Sequence, residues 1–141
     1  MGLNGAAPQL TLVPSEYVLV VEDDDEIRDF VALLLETEGY TVRTVANGAE
    51  ALEVACANPP RLIMLDMRMP VMDGWAFARA YRSRPGPQAP ILVMTAARDA
   101  GQRAREIEAD GYVAKPFDLN HLLTLVRRFT GPSEHGALCA A

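Results

Sequence analysis

The chain holds only two cysteines, Cys56 and Cys139, too few and too far apart for a disulfide framework or a thiolate metal site. Cys56 falls in a helical pattern where a small buried residue is expected, so a reducing cytoplasm is the simpler setting. Long apolar runs are absent too. No stretch approaches the ~20 residues needed to cross a bilayer, and the N-terminus has neither the basic start nor the apolar core of a secretory signal. A soluble, unprocessed, cytoplasmic chain without membrane contact is expected. Clustered positive charge is the third absence: the net charge is -6 and the densest basic group is Arg127-Arg128. A surface for nucleic-acid phosphates needs more than that, which argues against DNA binding and for protein partners.

What is present is one domain's worth of sequence, 141 residues of which 50% are hydrophobic. Residues 1–15 are Gly, Pro, Asn and small apolar residues without periodicity, expected to be a flexible extension. Order should begin near Tyr17. Val18-Leu19-Val20-Val21 is a short, continuous, β-branched run, as in a strand covered on both faces of a parallel sheet. The signature returns at Thr41–Val45, Leu62–Leu65, Ile91–Met94 and, more briefly, Tyr112–Ala114. Between these runs, apolar residues recur at helical spacing: Ile27, Phe30, Val31, Leu34, Leu35; then Ala51, Leu52, Val54, Ala55; then Trp75, Phe77, Ala78, Tyr81. A weaker helix is predicted over Arg98–Ala109, and a strong one through Leu119, Leu122, Leu123, Val126 and Phe129. Gly39, Asn47-Gly48, Pro59-Pro60 and the segment Pro85–Pro90 punctuate the boundaries. Five alternations of strand and helix imply an α/β fold, a five-stranded parallel sheet doubly wound by right-handed crossovers. The domain should occupy residues 16–130. Residues 131–141 read as a short tail with too little periodicity for another element, so no output domain is expected.

Open α/β sheets place their sites beyond the carboxyl ends of the strands. Those ends carry Glu22-Asp23, Asp66, Thr95-Ala96 and Lys115-Pro116. Carboxylates packed together repel, a cost relieved by protonation or by a cation, and Mg2+, a hard ion, takes oxygen ligands from carboxylates together with a phosphate. Asp66 would then be a nucleophile for a phosphoryl group, with Lys115 supplying a second positive charge and Thr95 a hydrogen bond.

In order and spacing the chain resembles a response-regulator receiver domain of two-component signalling. The resemblance rests on Val-Val-Glu22-Asp23, Asp66 with Met-Pro70 and Met-Asp73-Gly74, Met-Thr95-Ala96, and Gly111-Tyr112-Val-Ala-Lys115-Pro116-Phe117. It covers about Tyr17 to Phe129. It implies the CheY-like, flavodoxin-like (βα)5 fold with strand order 2-1-3-4-5. It also implies Asp66 as phosphoacceptor, with Mg2+ (or Mn2+) held by Glu22, Asp23, Asp66 and the backbone carbonyl of Arg68. Thr95, Ala96 and Lys115 are implied to bind the phosphoryl group, Thr95 and Tyr112 to act as the switch pair, and Pro116 to follow a cis peptide bond. Arg68 and Ala97 match positions that modulate hydrolysis. The implied donor is a histidine kinase or a histidine phosphotransfer protein. A downstream protein partner on the face of the fourth helix, fifth strand and fifth helix completes the set, with a monomer or a phosphorylation-dependent dimer as the assembly.

Blander readings stand beside these. Asp24, Asp25 and Glu26 are expected only to stabilise a helix start, and Asp73 to cap the third helix before Gly74. Met64 reads as core, with Met67, Met69 and Met72 as loop packing around the acidic site. His121 and His135 look solvated. Three rival functions are weighed. An aspartyl phosphohydrolase needs a second aspartate where Arg68 stands. A flavin carrier needs a Ser/Thr-rich phosphate loop after the first strand, which is missing. A scaffold that has kept the fold differs only in leaving Asp66 unused.

Overall fold

The computed structural model describes residues 17–96 and 98–131. The expected extension, most of the tail, Ala97, His135 and Cys139 lie outside the described residues. Five strands, β1 (Tyr17–Val21), β2 (Thr41–Val45), β3 (Leu62–Asp66), β4 (Ile91–Ala96) and β5 (Gly111–Lys115), alternate with five helices. The helices are α1 (Asp25–Thr37), α2 (Gly48–Ala57), α3 (Gly74–Arg82), α4 (Ala100–Glu106) and α5 (Leu119–Thr130). All strand pairs are parallel, in the order β2-β1-β3-β4-β5. No helix among the described residues is long and apolar enough to cross a membrane.

Period-two alternation along the central strands divides the core. Leu19, Val21, Ile63, Leu65, Ile91 and Val93 pack with residues of α2, α3 and α4, including Ala51, Phe77 and Ala104. Val18, Val20, Leu62, Met64, Leu92 and Met94 face the other way, against Val31 and Leu35 of α1 and Leu122, Leu125 and Val126 of α5. β1 and β3 are buried along their whole length, as their continuous apolar runs demand. The edge strands differ from expectation: β2 is exposed or half-buried throughout and only Val113 of β5 is buried. An edge strand has one neighbour, so its side chains escape full cover even when β-branched.

Other departures have local causes. Phe30 and Leu119 share the helical apolar spacing but are 46% and 43% exposed, because both stand at the sheet's carboxyl rim beyond the layer that could cover them. Leu125 joins the core though the apolar pattern omitted it, and α4 is shorter than predicted. Cys56 is half-buried rather than buried. Met67 is fully buried in the core rather than packing a loop.

Side chains set the helix starts as capping chemistry requires. Asp24, Asn47, Asp73 and Asp118 accept hydrogen bonds from the amides of Ile27, Glu50, Ala76 and His121 at 3.0, 3.0, 2.9 and 3.1 Å. His121 is exposed. The segment between β3 and α3 contains a tight turn in which the Met72 amide donates to the Pro70 carbonyl at 2.7 Å and Val71 takes φ 69°. A β-branched residue with positive φ is strained, and Val71 is 84% exposed, so packing does not repay it. Val71→Asn, a residue that tolerates this region, should stabilise the fold by about 0.5–1 kcal/mol. Urea midpoints check this; an unchanged or lower midpoint would refute it.

Candidate functional site

Strand register gathers the polar strand ends. Val21 lies opposite Leu65, so Glu22 follows at the level of Asp66; Asp66 faces Met94, and Thr95 and Ala96 face Ala114 and Lys115. The parallel sheet therefore delivers residues from four strands to one rim. A cavity of about 910 Å3 opens there, lined by Glu22, Asp23, Asp66, Thr95, Ala96 and Lys115. Ile27, Phe30 and Phe117 form an apolar flank on the same cavity.

Carboxylate oxygens of Glu22, Asp23 and Asp66 all lie within 4.8 Å of one another. Glu22 is 1% and Asp66 6% exposed, whereas Asp23 is exposed. Lys115 reaches in from β5, with Nζ 2.7 Å from Glu22 Oε1 and 3.4 Å from Asp66 Oδ1. The second Glu22 oxygen accepts the Asp24 amide at 3.2 Å. Both Glu22 oxygens are thus engaged, whereas among the described residues Asp66 takes only the long Lys115 contact.

The electrostatics follow from this crowding. Burial, and after it the negative charge of Glu22, push the Asp66 carboxyl from 3.8 up to about 7, against the pull of Lys115. Lys115 answers in kind: burial works against its ammonium, but the Glu22 hydrogen bond and the charges of Asp66 and Glu22 outweigh it and raise its pKa. One ammonium shared among three carboxylates leaves the site short of positive charge. Hard oxygen donors at this spacing suit a small divalent cation. The acidic cluster is therefore consistent with a Mg2+ site on the observed donor set.

The turn after Asp66 is fixed by close backbone approach. A Cβ on Gly74 would lie 2.6 Å from Met67 Sδ and 2.9 Å from the Asp66 carbonyl oxygen, so only glycine fits. Gly48 supports the same segment, donating to the Met72 carbonyl at 2.9 Å. The Lys115-Pro116 bond is cis. Thr95 is 7% exposed at the end of β4, Ala96 is exposed, and Tyr112 is 47% exposed and points away from the core on β5. Arg68 lines the cavity, but its guanidinium stands over the Trp75 ring, 5.7 Å from the centroid.

Two features escaped sequence reasoning. The Lys115–Glu22 pair joins residues 93 positions apart, and only the strand register, with β5 at the far edge from β2, brings them together. The cluster around Trp75 was missed because Trp75 sits at an apolar helical position and so reads as core.

Comparison with known proteins adds an independent line. The family model "Response regulator receiver domain" matches residues 18–127. Response regulator MprA of Mycobacterium sp. (strain KMS) is 38% identical over 122 residues, which are 83% of this chain and 53% of that protein. The chain thus spans about half the length of the curated relatives it matches. Among solved structures, chemotaxis response regulator CheY4 of Vibrio cholerae is 34% identical with TM-score 0.73, covering 82% of this chain and 98% of that one. The receiver domain of sensor histidine kinase PA1611 from Pseudomonas aeruginosa PAO1 is 32% identical with TM-score 0.74, covering 83% and 98%. That structure holds a magnesium ion coordinated in its active site cleft.

Proposed function

The chain belongs to the response regulator receiver domain family, signalling switches of two-component phosphorelays rather than enzymes of external turnover, and we propose that Asp66 is its phosphoacceptor. One observation carries the assignment: among the clustered acids, Asp66 alone is buried, faces the cavity and keeps a carboxylate oxygen without a protein partner among the described residues. Its oxygen attacks the phosphorus of a phosphohistidine on a sensor kinase or histidine phosphotransfer protein. The P–N bond breaks, the imidazole leaves with the bonding electron pair, and an acyl phosphate forms on Asp66.

Asp23 and Asp66 are the carboxylates free to meet Mg2+ directly, with the Arg68 carbonyl completing the protein donors. Glu22 contributes charge from behind, its oxygens held by Lys115 and the Asp24 amide. A divalent ion held there, Mg2+ or Mn2+, would supply positive charge to the transferring phosphoryl oxygens. Lys115 and the Ala96 amide receive those oxygens, and the Thr95 hydroxyl donates to them. The acyl phosphate, carrying about -2 where the carboxylate carried -1, draws Thr95 and Lys115 inward and lets Tyr112 turn from its exposed position toward the core, re-shaping the α4–β5–α5 face for a downstream protein. Tyr112 already borders α4: a Cβ on Gly101 would lie 3.7 Å from its hydroxyl. A cytoplasmic setting, and either a monomer or a phosphorylation-dependent dimer, fit this scheme. Hydrolysis of the acyl phosphate resets it.

Intact mass after incubation with Mg2+ and phosphoramidate tests the proposal. A gain of one phosphoryl group is expected, abolished by Asp66→Asn and by EDTA. Uptake that survives Asp66→Asn would move the acceptor elsewhere. Failure of the folded protein to take up phosphate, even from a phosphorylated histidine phosphotransfer domain, would leave the scaffold reading.

A further inference from the structure

Trp75, at the start of α3, binds two arginines and one glutamate. The Arg103 guanidinium lies 5.4 Å and the Arg68 guanidinium 5.7 Å from its ring centroid. Its indole Nε1 donates to Glu106 Oε1 at 2.8 Å, and Arg103 Nη1 donates to both Glu106 oxygens at 2.9 Å. The Trp75 hydrogen bond, and after it that from Arg103, hold the Glu106 carboxyl below its ordinary pKa. Two guanidiniums on one ring would repel each other. Glu106 cancels the charge of Arg103, which is what permits the second cation to settle there.

The second cation is the informative one. Arg68 is two residues from Asp66 and lines the same cavity, where one ammonium serves three carboxylates. A guanidinium at that address would be expected to fork onto the acids. It stands on Trp75 instead. The ring's attraction for a cation thus competes with the pull of the acidic cluster.

We propose that Trp75 is a positioning residue that parks the Arg68 guanidinium outside the acidic site and so keeps that site free for a divalent cation. The inference rests on the reading of Glu22, Asp23 and Asp66 as a Mg2+ site. Lys115 is held by Glu22 at 2.7 Å and reaches Asp66 Oδ1 only at the longer 3.4 Å. Released from the ring, Arg68 would enter the cavity as an internal cation and compete with Mg2+ for the carboxylates.

The test is a Mg2+ titration of the full chain by calorimetry, on wild type, Trp75→Leu, Trp75→Phe, Arg68→Ala and the double variant Arg68→Ala/Trp75→Leu. Trp75→Leu should weaken Mg2+ binding by about two- to fivefold, the factor that an exposed cation–π contact represents. Trp75→Phe keeps a ring though not the Glu106 hydrogen bond, and should stay near wild type. Arg68→Ala, which keeps the backbone carbonyl and removes the guanidinium, sets the reference affinity, and the double variant should return to that value, since no guanidinium remains to intrude. A loss in Trp75→Leu that persists in the double variant would overturn the proposal, as it would mean that α3 packing alone sets affinity. A second readout stands apart from the metal. The Arg68 δ protons should show a ring-current upfield shift in wild type that vanishes in Trp75→Leu; its absence in wild type overturns the parking whatever Mg2+ does. Lack of Mg2+ binding by wild type with that shift intact would sink the metal reading and leave the Arg68–Trp75 contact standing.

Discussion

Asp66→Asn should make the metal-free protein more stable at neutral pH, although it removes the group on which the proposed chemistry depends. The sign follows from the raised carboxyl. With a folded value of about 7 against 3.8 for an unperturbed aspartate, the folded state binds the proton more tightly between those values. Stability therefore falls as pH rises through that window and is flat above it. The slope has a ceiling of about 1.4 kcal/mol per pH unit. Asparagine carries no charge to desolvate and feels no repulsion from Glu22, so its advantage should grow from near zero at pH 4 to about 2 kcal/mol at pH 8, less than the roughly 4 kcal/mol to which the full shift integrates, because the contact with Lys115 weakens. Added Mg2+ should close the gap from the wild-type side, because an ion that binds only the folded state stabilises it by about 2.7 kcal/mol at a hundredfold excess over Kd. Urea unfolding from pH 4 to 8, with Mg2+ and with EDTA, reads all of this. A difference between the proteins that stays constant across the pH range would show that Asp66 is not under the electrostatic load described here.

This cost at Asp66 also bears on how the site works. A carboxyl near 7 holds its proton part of the time, and a protonated carboxyl is a poor nucleophile. A cation in the cluster favours the ionised form, so metal binding and readiness to accept a phosphoryl group are linked through one proton. Acceptance of phosphate should weaken toward acid pH for that reason.

Sequence reasoning reached the rim but not the traffic across it. Strand ends could be located because apolar runs stop where Glu22, Asp66, Thr95 and Lys115 begin, and a parallel sheet places every such end on one side. The order of strands was not deducible from periodicity; it came from the family resemblance, and the observed β2-β1-β3-β4-β5 agrees. Edge effects were invisible for the same reason. Thr41–Val45 has the residues of a buried strand, and only its position beside a single neighbour leaves it half-covered. Side-chain pairing across the fold was likewise beyond reach. Nothing local to Trp75 announces Glu106, which lies 31 residues later and meets it only because α3 and α4 share a face of the sheet. Capping was legible at Asp73, and Asp24 was read as stabilising a helix start; Asn47 and Asp118 cap in the same local way without having been singled out as caps, and Asp99 before α4 makes no side-chain cap.

Removing the Lys115 ammonium should strongly destabilise the metal-free fold. Lys115→Met keeps most of the stem but strips Glu22, 1% exposed, of its cation and deprives Asp66 of its one attractive partner among the described residues. Breaking a buried pair in this way costs about 3–5 kcal/mol, and the lower end applies because the Lys115 side chain is 22% exposed. The raised pKa of Lys115 sets the pH window: the pair's contribution is whole below 10.5 and fades only as pH rises through the still higher folded value, so the loss should appear undiminished at pH 7 to 8. Millimolar Mg2+ should restore part of the stability, because a divalent ion supplies the missing positive charge to the same carboxylates. It should not restore phosphate uptake, which should remain slower by about 100-fold, the cost of deleting one donor aimed at developing charge. The two readouts separate the two parts assigned to this lysine. If Mg2+ rescues stability and uptake together, Lys115 is a counter-ion for Glu22 and Asp66 and nothing more. Rescue of the fold alone places its ammonium on the phosphoryl group.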